Sequence, residues 1–437
     1  MGWLARAAKL AGVALATVSC KGQPDPTPWC SAAPPPAAPD APTAPTYYEH
    51  TRAVIDAKCA SCHVSDGIGP FPLTTFEEVK AAAPLAPAAI ASHEMPPWLA
   101  ARCCTSYYRD YSLTAEEEAL LLRWFESGAP AGEAVERAAP ATPLGGLSRV
   151  DVTLAMPEPY TPAPEAGTSD DTRCFVLDWP LERAAYVTGL NPVPGSRELV
   201  HHLLIGIVSG SDAERAVERD EADDGPGYAC VNSLGEYQNV HILGGGLVGG
   251  DYPRGIGTRV EPGSKVILDV HYSTAHAAAA PDTTSLQLRV DDTAVEAKPI
   301  VVTNLAWAVA DGLGIGAGET DAVFYYRYRP EMFTRGKAVK LQSITPHMHE
   351  FATKVVVRRI TSSGRRECLL EIPRWSFGWE QPFWFAEEMS LDPDDELYLE
   401  CHFDNSAENQ PDGQAPRDIA WGGNNQDMCA AFLSFTE

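Results

Sequence analysis

The sequence predicts a multidomain chain, one small all-α domain followed by two all-β antiparallel sandwich-like domains. Three observations predict it. Helical periodicity and a capping box are confined to residues 47–132, short β-rich runs fill residues 150–437, and Pro/Ala-rich stretches at 21–46 and 133–149 set these regions apart. A length of 437 residues agrees, being more than one hydrophobic core usually serves.

Residues 1–20, MGWLARAAKLAGVALATVSC, read as an export signal. Arg6 and Lys9 form a basic end, and residues 10–18 an apolar run too short to span a bilayer. Cys20 after Ser19 resembles a bacterial lipoprotein cleavage site, although Thr17 stands where that motif prefers Leu. A lipid anchor on Cys20 and ordinary cleavage therefore both remain open. The expected location is the periplasm or the cell surface of a bacterium, with membrane contact only through such an anchor. Export also places the eleven cysteines where they can pair. The Pro/Ala tether that follows has too little apolar content to pack.

In the helical region, YYEHTRAVIDAK has helical spacing. LTAEEEALLLRWFESG opens with a capping box from Thr114 to Glu117 and closes on Gly128. From 150 onward the runs TRCFVLDW, LVHHLLIGIV, SKVILDVHYS, TSLQLRV, KPIVVTNLAWAV, AVFYYRYRP, AVKLQSI, ATKVVVRRI and DELYLECHFD are short and separated by Gly, Pro, Asp or Ser. That spacing favours antiparallel sandwiches or barrels over alternating β/α units, in two domains at 150–300 and 301–437. A net charge of -26 argues against nucleic acid, which would be repelled. It fits a solvated acidic shell, or recognition of a cationic redox partner.

KCASCH places Cys59, Cys62 and His63 in the C-x-x-C-H spacing, in which two thiols bond the haem vinyl groups while the adjacent His ligates iron. A C-x-x-C redox disulfide beside a bystander His is the competing reading. Met95 in SHEMPPWL is the expected second axial ligand, its turn held by Pro96 and Pro97, with His93 as the rival. With GPFPL and LLLRWFESGAP, these motifs resemble a small class I cytochrome c domain, which implies covalently attached haem c. Adjacent Cys103 and Cys104 are expected to have different partners or none.

His201 and His202 are neighbours, and neighbours on a regular strand face opposite ways. Both can hold one ion only at a bulge or a strand end. His271, in ILDVHYST, lies on another strand. In SITPHMHEF, His347 and His349 leave the same face while Met348 points away. Each alone reads as a satisfied sheet histidine.

Taken in order, the H-H pair, the later His-Tyr, the H-x-H and then NNQDMCAAF with Met428 resemble the copper type II, ascorbate-dependent monooxygenases, the family of the peptidylglycine α-hydroxylating and dopamine β-monooxygenases. YPRGIG and EPGSKVILDVHY before His271 add to the likeness, which spans about residues 150–437. The resemblance implies two jelly-roll-like sandwiches. It implies one copper on His201, His202 and His271, a second on His347, His349 and Met428, and a Cys401–Cys429 disulfide. It further implies a monooxygenase that inserts one atom of O₂ into an activated C–H bond of a small-molecule substrate, with no catalytic residue beyond the metal ligands. Oxygen would meet the Met-site copper, and the His-only copper would supply the second electron. An ascorbate-like reductant or a redox protein would be the donor, with the fused haem a candidate relay.

The donor chemistry agrees, because imidazole suits copper in both oxidation states and a thioether favours Cu(I). A three-His zinc site would explain the first cluster but leave Met428 without a role; a core methionine beside a structural disulfide is the plain reading of that residue. Family members that amidate peptides hold the substrate carboxylate with an Arg two residues before H-x-H and with Asn and Tyr just after Met-Cys. Here Thr345, Ala430 and Phe432 stand there, so a peptidylglycine substrate is not expected. Phe432 and FGWEQPFWF fit an apolar pocket or plain core packing. Cys174 and Cys230 are candidate partners for each other. The non-enzymatic alternative is a copper-binding or electron-transfer surface protein. A cupredoxin fused to cytochrome c fits less well, since ECHFDN has no downstream Met at the required spacing.

Overall fold

The computed structural model describes residues 44–437 except 61, 66–68, 135–145, 166–167, 231–240, 246–248, 276, 309–311, 411–412 and 423–425. The expected signal, Cys20 and nearly all of the first Pro/Ala stretch lie outside the described residues, as does most of the second.

Helices come first. A π-helical turn, Tyr47–Thr51, runs into Arg52–Lys58, and Phe76–Ala81, Ala86–Ala91 and Ala115–Glu126 follow. The capping box at Thr114 is formed: its hydroxyl accepts from the Glu117 main-chain N–H at 3.1 Å, and the Glu117 carboxylate accepts from the Thr114 N–H at 2.8 Å. Thr75 and Glu78 make a second box on Phe76–Ala81. Trp124 is fully buried among Tyr47, Ile55, Val79 and Leu121, so this region has a core of its own.

The rest is mostly sheet, in two pairs of facing sheets. In the first pair, Asp170–Asp178, Lys265–Ser273 and Val200–Val208 pair antiparallel in one sheet, and Val152–Ala155, Ser285–Asp291, Ala185–Val193 and Ile256–Val260 form the other. Their inner faces meet in a core that includes Phe175, Ile205, Leu268, Val187 and Leu286. In the second pair, Lys298–Val302, Ala430–Thr436, Val339–His347 and Phe383–Leu391 face Ala322–Tyr328, Glu396–Phe403, Ala352–Ile360 and Arg366–Ile372. Ile344, Leu433 and Phe383 meet Phe324, Val355 and Phe403 between them.

Several elements escape the sequence reading. Ala185–Val193 is a strand although Gly189 and Pro192 interrupt its pattern, and Ser211–Ala222 is a helix inside the β region. Arg366–Ile372, set between Gly364 and Pro373, and Ala430–Thr436, with turn residues only before it, also pair along their length.

Two joints fix these parts against one another. Between the sandwiches, Arg254 of YPRGIG donates to the carbonyls of Phe385 and Ala386 at 2.8 and 3.1 Å and to Gln342 Oε1 at 2.6 Å, while Tyr252 packs on Trp384. Between the helices and the second sandwich, Tyr107 Oη donates to the Leu369 carbonyl at 2.8 Å and Trp98 packs edge-on against Phe383 at 5.2 Å. A Cys104–Cys368 disulfide spanning 264 residues staples the same joint. Cys103 is disulfide-bonded separately. Cys174–Cys230 and Cys401–Cys429 are also bonded, which accords with an oxidising compartment. No helix among the described residues is long and apolar enough to cross a membrane.

Because the Cys104–Cys368 bond closes so long a loop, replacing both with Ser lowers unfolding stability by about 2–4 kcal/mol. A denaturant titration checks this, and the far-ultraviolet circular dichroism of the native state stays unchanged.

Candidate metal and cofactor site

The first cluster exists because one strand skips a residue. His202 pairs opposite His271 and Val200 opposite Tyr272, so His201 is the extra residue of a bulge. Both adjacent imidazoles thereby reach the His271 side. One ligand nitrogen from each of His201, His202 and His271 lies within 4.8 Å of the others, and the Nδ1 atoms of His202 and His271 are 3.4 Å apart. The far nitrogen of His271, Nε2, donates to Asp170 Oδ1 at 3.0 Å, which turns Nδ1 inward. A carboxylate behind an imidazole in this way is the usual support of a metal-ligating histidine.

The second group forms where Val339–His347 ends. His347 closes the strand, the fully buried Met348 points into the sandwich core, and His349 follows outside it. The two imidazole centres are 5.1 Å apart. His347 Nδ1 donates to both Glu380 oxygens at 3.0 and 3.1 Å, and His349 Nδ1 donates to the Gln426 carbonyl at 3.1 Å, so both rings offer Nε2. Asp427 ties Met428 to this pair: its Oδ1 accepts the main-chain N–H of both His349 and Met428 at 2.7 Å, and Oδ2 accepts that of Phe351 at 3.0 Å.

Burial sets the charge state of these groups. It holds His202 well below the ordinary imidazole value, helped by His271 and His201, and takes His349 down to about 3. Burial also pulls on His347, but the Glu380 carboxylate outweighs it and the net shift is upward. Burial pushes the Asp427 carboxyl up to about 7. At Asp170 the bond to His271 overcomes burial and keeps the group below the ordinary carboxylate value. Imidazoles with oriented ring nitrogens are donors suited to copper, and a thioether favours its cuprous state.

The two groups share a wall. The Phe377 ring centre lies 4.5 Å from that of His202, 4.9 Å from His271, 5.6 Å from His201 and 5.4 Å from His349. Phe432 stands 5.8 Å from His347, opposite Thr345 in register, so the positions that would bind a carboxylate present no cation. His402, by contrast, is a satisfied sheet histidine between Asp321 and Glu400.

A third feature lies among the helices. Cys59, Cys62, His63 and Met95 line one cavity of about 250 Å³ with Leu121 and Phe125. Its walls are mainly apolar side chains. Cys59 and Cys62 are thiols, which weighs against a C-x-x-C disulfide, and burial pushes Cys59 up to about 12. His63 Nδ1 donates to the Phe71 carbonyl at 2.8 Å, leaving Nε2 as its ligand atom. Gly69 lies so close that a Cβ there would come within 2.6 Å of the His63 ring. His93 is exposed, beside Glu118 at 3.7 Å, and does not line this cavity. Of the two candidate axial ligands, Met95 is the one the fold brings to His63.

No family model matches this chain. No curated protein matches it either. Among solved structures, one similar chain is described as a "putative secreted protein" from Parabacteroides distasonis ATCC 8503, at 8% identity and a TM-score of 0.14, covering 65% of this chain and 88% of that one. So loose a likeness leaves the functional reading to the side chains.

Sequence reasoning named the imidazoles and Met428 and placed Phe377 in a stretch fitting a pocket or a core, but missed Asp170, Glu380 and Asp427. Only Asp427, immediately before Met428, had a local signal. Asp170→Ala, which removes the His271 acceptor, is expected to weaken copper binding at the first cluster by roughly 10–100-fold in a chelator competition. His402→Ala leaves that affinity unchanged.

Proposed function

We propose that this chain is an exported copper-dependent monooxygenase that hydroxylates an activated C–H bond, with a covalent haem c in its helical region. The observation that carries the reading is the approach of His201, His202, His271 and His349 to a single phenyl ring, Phe377, with His347 beside His349 and Asp427 tying the Met428 main chain to that of His349. The overall reaction is RH + O₂ + 2e⁻ + 2H⁺ → ROH + H₂O. Copper at the two clusters would supply one-electron chemistry toward O₂, and haem c a one-electron store. An ascorbate-like reductant or a redox protein would be the external donor.

The chain's own residues hold and shield. Asp170 and Glu380 fix the tautomers of His271 and His347, and the Gln426 carbonyl does the same for His349. Asp427 holds the Met428 main chain to that of His349, and the Met428 thioether would complete the donor set. Phe377 keeps water from the space between the clusters. Phe432, Thr345 and Ala430 line the His347 side without a charge, which favours an apolar substrate over a carboxylate. Cys59, Cys62, His63 and Met95 would hold the haem, and the hydrogen bond from His63 to Phe71 would orient its axial imidazole.

Elemental analysis is expected to find two coppers and one haem iron per chain, and His347→Ala to lose about one copper while keeping the iron. With ¹⁸O₂ and a panel of apolar aryl-alkyl substrates, mass spectrometry is expected to find one labelled oxygen in the alcohol. A chain that binds both coppers yet labels no product would instead be a carrier.

A further inference from the structure

The cavity lined by Cys59 and His63 and the two imidazole groups lie on opposite sides of one short segment, residues 377–381. Each residue of it touches one side or the other. Phe377 packs against His201, His202, His271 and His349. Gly378 runs so close to the first cluster that a Cβ there would lie 2.9 Å from His201 Nε2. Trp379 turns the other way and lines the cavity that holds Cys59, Cys62, His63 and Met95. Glu380, 2% exposed, is the acceptor for His347 Nδ1. Gln381 Oε1 accepts from Tyr111 Oη at 2.6 Å, and Tyr111 is another wall of the cavity.

The segment is also held still. A tight turn closes from the Trp379 N–H to the Ser376 carbonyl at 3.0 Å, and Trp375 Nε1 donates to the His349 carbonyl at 3.1 Å. The Cys104–Cys368 staple and the Trp98–Phe383 contact lock the helical region onto the strands that flank it.

We propose that residues 377–381 are the electron path between the haem cavity and the imidazole clusters, with Trp379 as the entry and Phe377 and Glu380 as exits. This rests on the reading of haem and copper given above. Electron tunnelling weakens exponentially with the gap, and covalent bonds and aromatic rings shorten the effective gap. A five-residue strap with residues against both the haem cavity and the imidazole clusters supplies both. In each event one electron leaves ferrous haem, which becomes ferric, and one copper goes from cupric to cuprous, with no bond made or broken. Two events, each followed by re-reduction of the haem by an external one-electron donor, deliver the two electrons of the overall reaction, and solvent supplies the two protons. Other placements of a cytochrome on a tether would give the haem no fixed neighbour; here its cavity wall and the histidine supports are consecutive residues.

The test uses the full chain carrying haem and Cu(II), without oxygen or substrate. A flash-generated deazaflavin radical reduces the haem, and reoxidation is followed in the haem α-band while loss of the Cu(II) signal is read by electron paramagnetic resonance. The expected result is haem reoxidation matched by loss of Cu(II), absent from copper-free protein. Trp379→Leu and Phe377→Leu slow it by an order of magnitude or more in protein carrying its full haem and copper, and Trp379→Phe restores most of the rate. Leucine variants that transfer at the wild-type rate, or haem that never donates to copper in a fully loaded protein, overturn the path and leave the monooxygenase reading standing. A chain that takes up no haem or no copper overturns both.

Discussion

A β-strand sends successive side chains to opposite faces, so two adjacent histidines can serve one centre only if the strand skips a residue. The skip falls at His201, while the neighbouring strand Lys265–Ser273 continues in register on either side. Everything else at the centre is organised about that slip. His271 stands opposite His202, Asp170 reaches the far nitrogen of His271 from the next strand, and Phe377 comes from the other sandwich to close the space. Without the bulge one imidazole would face away, and the remaining pair would be an ordinary sheet contact.

The polar groups gathered here argue that the centre is more than packing. Glu380 is 2% exposed and Asp427 fully buried, and a buried carboxylate costs several kcal/mol unless its oxygens are well satisfied. Asp427 meets that cost with three main-chain N–H groups, Glu380 with an imidazole. Apolar residues of similar size would fill the same space at lower cost. The arrangement holds imidazoles oriented and close together, which packing alone does not require.

Much of this was legible in the chain. The change from helical to β-rich character, the capping box at Thr114, the bulge demanded by His201 and His202, and the inward Met348 are local consequences of period and propensity. The resemblance to the copper monooxygenases implied Cys401–Cys429, and the bond is there. What stayed hidden is long-range. Glu380 lies 33 residues from His347, and Asp170 lies 101 from His271, separations at which no periodicity speaks. FGWEQPFWF fitted either a pocket or a core, and it is both: Phe383 fills the sandwich while Phe377 faces the histidines. Ala185–Val193 was obscured by its own Gly and Pro, and Pro192 is tolerated because it lies beyond the residues at which the strand is paired on its second side.

The Cys104–Cys368 staple carries a consequence for how the molecule is made. The helical region leaves the ribosome before the sandwiches and has a core able to form early. Its last covalent partner, Cys368, arrives 264 residues later, on a strand that is itself placed only when the final sandwich assembles. The early portion must therefore wait, with Cys104 still a thiol, in a stretch of chain that also carries Cys59 and Cys62. Oxidation out of turn would trap the wrong cross-link, so a correctly finished molecule depends on the order of thiol chemistry during biogenesis.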